Sequence, residues 1–140
     1  MTIGNAMKER HAKPIIILSA ADYKRLSALA YAASKRMRDL AEELAHEIER
    51  ARVLNEGEHS PNTVCMNSEV EFRDEKTGKV QNVTLVYPED ADISQRKISI
   101  LTPVGTALIG LRTGDSISWK TPNGEVRRLT VLSVREPRAS

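Results

Sequence analysis

The spacing of hydrophobic residues along this chain changes its period once, close to residue 60. Before that point, apolar residues recur at intervals of three and four, which is the period of an amphipathic helix. This spacing predicts one helix from about Ala20 to Ala32 and a second from about Ser34 to Asn55. Joined tightly near Ala33, the two helices would form an antiparallel hairpin. The apolar run Pro14 to Leu18 just before them is typical of a strand or an extended lead-in.

Recognisable start and stop signals border this helical region. Ser19 and Asp22 can both accept hydrogen bonds from the exposed amides of a helix start. Gly57, with Pro61 shortly after it, ends the region and marks a linker. No Gly or Pro interrupts the span from Ala20 to Asn55, so a single long helix is an alternative to the hairpin.

From about Thr63 onward, apolar and polar residues alternate, which is the pattern of a half-buried strand. The alternation continues to Phe72, and the turn-forming residues Asp74 to Gly78 would pair this strand with Lys79 to Tyr87 as a hairpin. A charged loop, Pro88 to Arg96, comes next. This half of the chain is therefore predicted to be mainly β-structure.

The most distinctive segment of the chain is ISILTPVGTALIGLRTGD, from Ile98 to Asp115. Ile98 and Ile100 alternate with a serine, as in a short strand, and Pro103 ends that strand because it has no amide proton to donate. Its fixed φ suits the first turn of a helix, which the Thr102 hydroxyl can cap. The spacing predicts a short helix from Pro103 to about Leu111, with one apolar stripe facing a sheet: Val104, Ala107, Leu108 and Leu111.

The remaining pattern completes a small antiparallel sheet with one packed helix, so the predicted fold class is α+β. Two further strands are expected at Ser116 to Lys120 and Glu125 to Val134, joined by a turn at Thr121 to Gly124. Leu108, Ile109 and Leu111 are expected in the core, and Trp119 is expected to pack on the sheet. We expect three units: a disordered tail over 1–13, the helical hairpin over 14–60 and the sheet domain over 61–136.

Composition limits the classes of function. The 140 residues are 40% hydrophobic, and 21 basic residues nearly balance 19 acidic ones. A net charge of +2 does not indicate a module that grips phosphate backbones, so direct nucleic-acid binding is expected to be weak or absent. No apolar run is long enough to cross a bilayer and no signal peptide is visible, so we expect a cytoplasmic protein without a membrane partner.

Few side chains of this sequence suggest catalysis or metal binding. The single cysteine, Cys65, falls in a predicted strand, where a buried and inert thiol is the expected reading. His11, His46 and His59 lie in different predicted elements without ligand spacing, so no metal site is expected. We therefore predict no catalytic residues, no cofactor and no enzymatic activity.

Four segments resemble the GreA/GreB family of bacterial transcription factors: VCMNSEVEFRDEKTGKV, VTLVYPEDAD, the strand-Pro-helix-Gly-Asp segment and DSISWKTPNGEV. The chain is similar in particular to the Rnk branch of that family, regulators of nucleoside diphosphate kinase with a shortened N-terminal coiled coil. The resemblance implies an FKBP-like sheet domain after the hairpin. It covers roughly Pro14 to Val134.

In cleavage-competent members, the resemblance implies, a long coiled coil enters the secondary channel of RNA polymerase and acidic residues at its tip help hold a Mg²⁺ ion. That chemistry requires two carboxylates close together at the tip. Here the predicted tip carries three cations, Lys35, Arg36 and Arg38, which would repel the metal but are candidates for contact with a phosphate or an acidic protein. At 1.5 Å per residue, a helix of about thirteen residues spans roughly 20 Å, so the hairpin is also short. The sequence therefore predicts no transcript cleavage.

The resemblance also implies that the sheet domain holds the β′ rim of the secondary channel. The candidate partner-binding residues are Thr102, Pro103, Val104 and Gly105, with Leu101 beside them. Leu101 stands where the cleavage factors often have an acidic residue, and Thr106 stands where they have arginine. The result is a more apolar patch, which suits a protein contact.

Three classes of function follow. The first is a non-catalytic transcription regulator that binds RNA polymerase, competes with Gre-type factors and affects elongation and nucleoside diphosphate kinase expression. The second is an interaction module that regulates nucleotide metabolism by direct protein contact. The third is a prolyl isomerase, suggested by the FKBP-like architecture alone. The sequence favours the first, with a monomer as the expected state.

Overall fold

Two helices bracketed by two short strands form the N-terminal part of the protein. The computed structural model describes residues 14–32, 38–58, 60–120 and 123–137. Strand β1 (Ile17–Leu18) leads into α1 (Ala20–Ala32), and α2 (Arg38–Glu49) leads into β2 (Arg52–Val53). The predicted tail, the tip cations Lys35 and Arg36, His59 and the turn residues Thr121 and Pro122 lie outside the described residues.

The helices form a hairpin, and the single-helix alternative is wrong. β1 and β2 pair in parallel, so the chain leaves along α1 and returns along α2. The second helix ends at Glu49 instead of about Asn55. The amides of Arg52 and Leu54 bond to the carbonyls of Ile16 and Leu18, both over 2.8 Å, so they are no longer available to a continuing helix.

A five-stranded sheet forms the second part of the protein. Its strands are β3 (Glu69–Asp74), β4 (Val80–Val86), β5 (Lys97–Ser99), β6 (Ser116–Lys120) and β7 (Val126–Arg135). Their order in the sheet is β5-β4-β3-β7-β6, and all neighbours are antiparallel except the pair β4 and β5. Two single-turn 3₁₀ helices occupy the predicted charged loop between β4 and β5.

Two sequence predictions for the sheet need correction. The first long strand begins at Glu69, not at Thr63, because Asn67 has a φ of +72° and its amide bonds to the Leu85 carbonyl across a turn. Buried and more exposed residues still alternate over this stretch as predicted, beginning with Val64, which is fully buried. The pairing of β5 with β4 is parallel, which alternation alone does not encode because it gives a strand's faces and not its direction.

A short helix, α3 (Pro103–Leu108), packs against the sheet and ends three residues earlier than predicted. Gly110 has a φ of +79°, which stops the helix and turns the chain. The expected core residues Leu108, Ile109 and Leu111 are each fully buried, and Trp119 packs against the core as predicted.

One hydrophobic core runs through both parts of the protein. It joins Leu26 of α1 and Leu44 of α2 with sheet residues such as Val70 and Val131. The hairpin therefore folds onto the sheet domain, as expected for helices too short to be stable alone in water. Among the described residues, no helix combines the length and the apolar character that a membrane crossing requires.

Candidate partner-docking site

Within the segment Leu101 to Gly105, called the docking segment below, the Thr102 hydroxyl bonds to the backbone on both sides of Pro103. The Thr102 hydroxyl donates a hydrogen bond to the Ser99 carbonyl over 2.7 Å and accepts one from the Gly105 amide over 3.0 Å. This is the helix cap that the sequence predicted. Pro103, at the first helical position, adds a fixed φ. The loop and helix start are therefore rigid before any partner arrives.

Gly105 lets the docking segment lie directly against strand β5. A Cβ atom at this position would collide with the Ser99 carbonyl oxygen and would lie 3.0 Å from the Ile100 Cα. The next residue, Thr106, is buried and donates a hydrogen bond to the Ile100 carbonyl over 2.9 Å. Glycine and then threonine at these positions thus tie α3 to the strand before it.

The docking segment presents only part of itself to solvent. Pro103 is exposed, and Thr102 and Val104 are half-buried. Leu101 is 4% exposed and belongs to the core, and Gly105 is buried. The leucine that stands where the cleavage factors often have an acid therefore supplies packing, and the accessible surface is centred on Pro103 and Val104.

A groove with a volume of about 490 Å³ lies beside the docking segment, bounded by α3, the sheet and the loop before β5. Its apolar lining comes from distant parts of the chain: Phe72, Val83, Ile98, Val104, Trp119 and Leu129. Two aromatic side chains thus line one groove, although the sequence places them on separate elements. Sequence reasoning found Pro103 and Val104 but missed the groove.

An ion pair between Asp74 and Arg127 lines the same groove. Burial by itself would raise the pKa of the Asp74 carboxyl, but the Arg127 guanidinium and the amides of Lys76 and Thr77 donate hydrogen bonds to it. Together these hydrogen bonds outweigh the effect of burial, and the pKa of Asp74 lies below its ordinary value of 3.8. The sequence predicts Asp74 only as a turn residue. Its ion-pair partner, Arg127, lies on β7, the last strand of the chain.

Lys97 and Arg128 also line the groove, and the Asp74 carboxylate is already neutralised by Arg127. The Arg128 guanidinium contacts the Ser118 hydroxyl over 3.2 Å and remains exposed. The groove therefore combines an apolar lining with the cationic side chains of Lys97 and Arg128, which interact electrostatically with the carboxylates of Asp92 and Glu75. Such a surface favours a protein segment that brings an apolar side chain with a carboxylate next to it.

The exposed carboxylates of the described part of the hairpin lie along α2. Asp39, Glu42 and Glu43 are exposed on α2, and Arg38 is exposed at its first position. Within the described ranges, no three His, Cys, Asp or Glu side chains come together as metal ligands would. The contact predicted for the tip cations remains a prediction.

One glutamate of α2 is buried. Glu47 is 2% exposed and forms an ion pair with Arg50 at 2.6 Å. Arg50 also donates a hydrogen bond to the Pro14 carbonyl. The pair thus fastens the beginning of the described chain to the base of the hairpin, a contact that helical spacing alone does not reveal.

The hairpin meets the sheet domain through side chains on one face of α1. The Met66 amide donates a hydrogen bond to the Asp22 carboxylate over 3.1 Å. One turn later, the Arg25 guanidinium lies 3.7 Å from the centre of the Tyr87 ring and 2.5 Å from the Glu89 carboxylate. Burial raises the pKa of Asp22, and burial with the nearby Asp22 charge raises the pKa of Tyr87 to about 12. We call these contacts the junction.

Cys65 lies beside the junction in the loop before β3, not in a strand. Its thiol and its amide both contact the Ser68 hydroxyl at 3.0 Å. Burial raises the pKa of the thiol. Cys65 is thus half-buried and not buried as predicted, and its unreactive character stays a prediction that the raised pKa supports.

Comparison with known proteins identifies the family. Residues 59–136 match the family model for the C-terminal part of the transcription elongation factors GreA/GreB, and residues 14–54 match the Rnk N-terminus. The chain is 37% identical over 129 residues to the "Regulator of nucleoside diphosphate kinase" of Escherichia coli K12, which covers 91% of this chain and 95% of that protein.

Proteins named as elongation factors are also among the relatives. GreA of Chloroflexus aggregans is 37% identical over 93 residues, covering 66% of this chain and 59% of that protein. A solved structure, the prokaryotic transcription elongation factor GreA/GreB from Nitrosomonas europaea, superimposes with a TM-score of 0.67 at 44% identity, covering 89% of this chain and all of that one. The chain therefore belongs to the GreA/GreB family and, within it, resembles the regulators of nucleoside diphosphate kinase that carry an Rnk-type N-terminus.

Proposed function

We propose that this protein is a non-catalytic regulator that binds RNA polymerase at the β′ rim of the secondary channel through its docking segment. By occupying that position it competes with Gre-type cleavage factors and affects elongation and the expression of nucleoside diphosphate kinase. Such a partner implies a cytoplasmic protein. The observation that carries the proposal is the exposed Pro103, held at the edge of the groove by the Thr102 cap.

The rigidity of the docking segment supports this function. Association costs free energy for every side chain and loop that becomes ordered, so a surface ordered in advance binds more tightly for the same contacts. Here the capping hydroxyl, the proline and the close approach of Gly105 to strand β5 fix the loop in the free protein. Only the Pro103 and Val104 side chains then need partners.

The groove supplies the second half of the proposed contact. An apolar side chain of the partner would enter between Val104 and Trp119, and a carboxylate beside it would meet Lys97 or Arg128. Contacts of this kind place an apolar anchor in a pocket and charged groups at its rim. The contact thus needs no large charged surface, in keeping with the balanced composition of the chain.

The absence of catalysis is part of the proposal. The exposed carboxylates Asp39, Glu42 and Glu43 lie on the shaft of α2, and the sequence at the tip carries Lys35 and Arg36 instead. Helix α1 has 13 residues, so the hairpin extends roughly 20 Å at 1.5 Å per residue. We therefore expect the hairpin to obstruct the channel entrance without delivering a metal ion to its far end.

The experiment that tests this function measures retention of core RNA polymerase on the immobilised protein. Pro103→Asp places a charge at the centre of the exposed patch and should abolish retention. Pro61→Asp makes the same change at an exposed proline that does not line the groove and should leave retention intact. Equal retention by the two variants would contradict the proposal.

A cleavage assay on stalled elongation complexes tests the proposed lack of catalytic activity. With Mg²⁺ present and no Gre factor added, we expect the purified protein to leave backtracked RNA at full length. A Gre factor in the same assay provides the positive control. Shortened RNA in the presence of this protein alone would overturn the non-catalytic assignment.

A second candidate is direct regulation of a nucleotide-metabolising enzyme. It is favoured by the name of the Escherichia coli relative, a regulator of nucleoside diphosphate kinase. The groove could bind an acidic-apolar segment of a kinase as well as one of polymerase. Pull-down of the purified kinase in the absence of polymerase distinguishes the two: direct control requires capture, and transcriptional control does not.

A further inference from the structure

The base of the hairpin is locked against the end of α3 by the backbone. The Ile17 amide donates a hydrogen bond to the Gly110 carbonyl over 3.1 Å. A Cβ atom on Gly110 would lie 2.6 Å from the Ile16 Cβ and 3.1 Å from the Ile17 nitrogen, so only glycine allows the two segments to approach this closely. This contact provides a fixed point between the hairpin and the helix of the docking segment.

The hydrophobic core holds the hairpin on the sheet domain but does not by itself set its direction. Leu26 and Leu44 are fully buried and contribute to the attachment of the hairpin through their apolar area. Apolar burial depends on area and is not directional. A second set of contacts, away from the fixed point, is needed to define the angle of the hairpin.

The junction provides those directional contacts. Asp22 and Arg25 are one turn apart on α1, so both project from the same face of the helix. Asp22 reaches the Met66 amide before β3, and Arg25 reaches Tyr87 and Glu89 after β4. Together with the backbone contact at Gly110, these make three separated points, which is the number required to fix one body on another.

We infer that Asp22 and Arg25 form a polar clamp that sets the direction of the hairpin relative to the docking segment. Helix α2 packs directly against α3, so the two functional parts of the protein share one rigid frame. For its effect on transcription the inference rests on the proposed function. When the docking segment binds polymerase, the rigid frame sets the position of the hairpin, and the hairpin needs no affinity of its own for polymerase. Asp22 and Arg25 are then positioning residues, away from the partner contact.

Distances between spin labels test the clamp on the isolated protein. Cysteines replace Tyr31, 94% exposed on α1, and Val126, 60% exposed on β7, in a Cys65→Ala background. We expect a narrow distance distribution for this parent and a broader one after Asp22→Ala with Arg25→Ala. Lys24→Ala with Glu43→Ala removes the same charges from exposed hairpin positions and should leave the distribution narrow.

Two results would overturn the inference: a distribution that is already broad in the parent, or one that the clamp variant leaves unchanged. Arg25→Ala alone serves if the double variant loses its fold, because the Arg25 side chain is 57% exposed and contributes little to the core. Broadening in this single variant would still support the clamp, and an unchanged width would contradict it.

Transcription assays separate this inference from the proposed function. The clamp variant should retain core polymerase as the wild type does, yet protect stalled complexes less well against a Gre cleavage factor. Failure of the wild type to bind polymerase would overturn the proposed function. The spin-label distances would then still test the clamp, because they are measured on the isolated protein. Binding with undiminished protection by the clamp variant would overturn the role of the clamp.

Discussion

The Thr102 hydroxyl accepts a hydrogen bond from the Gly105 amide over 3.0 Å, across the exposed proline that lies between them. The same hydroxyl donates to the Ser99 carbonyl, so one side chain connects the strand, the loop and the first turn of α3. The position of Pro103 at the edge of the groove follows from these bonds. Stability and docking are therefore coupled at Thr102.

Loss of this cap should lower stability measurably. Thr102→Ala removes both hydrogen bonds, and we expect the free energy of unfolding to fall by about 1 kcal/mol, the usual cost of a lost N-cap. Urea denaturation followed by circular dichroism provides the measurement. Thr102→Ser keeps the hydroxyl and should recover most of the loss. Equal destabilisation by the two substitutions would show that the methyl group, not the cap, matters.

The shared core predicts that the hairpin and the sheet unfold together. Leu44→Ala in α2 should cost about 2–5 kcal/mol because the side chain is fully buried. Helical circular dichroism reports the hairpin, and the fluorescence of Trp119 on β6 reports the sheet. Both probes should shift to the same lower midpoint. Val53→Ala, at a 39% exposed position, should change stability by no more than about 0.5 kcal/mol. Separate transitions would contradict a continuous core.

The ion pair in the groove predicts a pH-dependent contribution to stability. The pKa of Asp74 is lower in the folded protein than its ordinary value of 3.8, so the folded state favours the charged form. Its contribution is fully present above about pH 4 and is lost as the pH falls through the folded pKa. Asp74→Asn should therefore destabilise the protein at pH 7 by about 1–3 kcal/mol.

Measurements of the free energy of unfolding at several pH values check the direction of this pH dependence. The gap between the wild type and Asp74→Asn should be constant from pH 7 to about pH 5 and should narrow below about pH 4. Asp90→Asn, at an exposed carboxylate in a 3₁₀ turn, serves as the control and should show little difference at any pH. A gap that widens on acidification would contradict the assigned direction of the Asp74 pKa.

Cys65 should react slowly with alkylating reagents. Burial raises the pKa of its thiol above the ordinary value of 9.0, so the reactive thiolate is scarce at neutral pH. The chain has one cysteine, so the rate of iodoacetamide labelling by mass spectrometry reports this site alone. We expect labelling at pH 7.5 to be much slower in the native protein than in urea. Equal rates would show that the thiol is accessible and unperturbed.

Local signals in the sequence predicted most of the elements that build the docking segment. The order Thr102, Pro103 and then a stripe of apolar residues encodes the cap and the helix within a few positions, and the structure confirms both. The expected burial of Ile109 and Leu111 followed from the same local pattern and is also confirmed. Capping and helical periodicity act between near neighbours, which explains why they can be recognised in one sequence.

Features that depend on distant residues were missed or wrong. Helix α2 ends early because the amide of Arg52 bonds to Ile16, and the clamp exists because Asp22 meets an amide 44 residues away. Phe72 on β3 and Trp119 on β6 line the same groove only because β7, which pairs with β6, also pairs with β3 from far earlier in the chain. The sequence pattern gives the face of each strand, and the sheet order that brings these faces together is a property of the whole fold.

The central claim is that this protein docks on RNA polymerase where the cleavage factors dock. The most direct measurement is the binding of fluorescently labelled protein to core polymerase, followed by titration with unlabelled GreA. We expect saturable binding of the wild type that GreA abolishes completely. The Pro103→Asp variant should not bind even before GreA is added. Binding that persists at saturating GreA, or no binding of the wild type at all, would contradict the account.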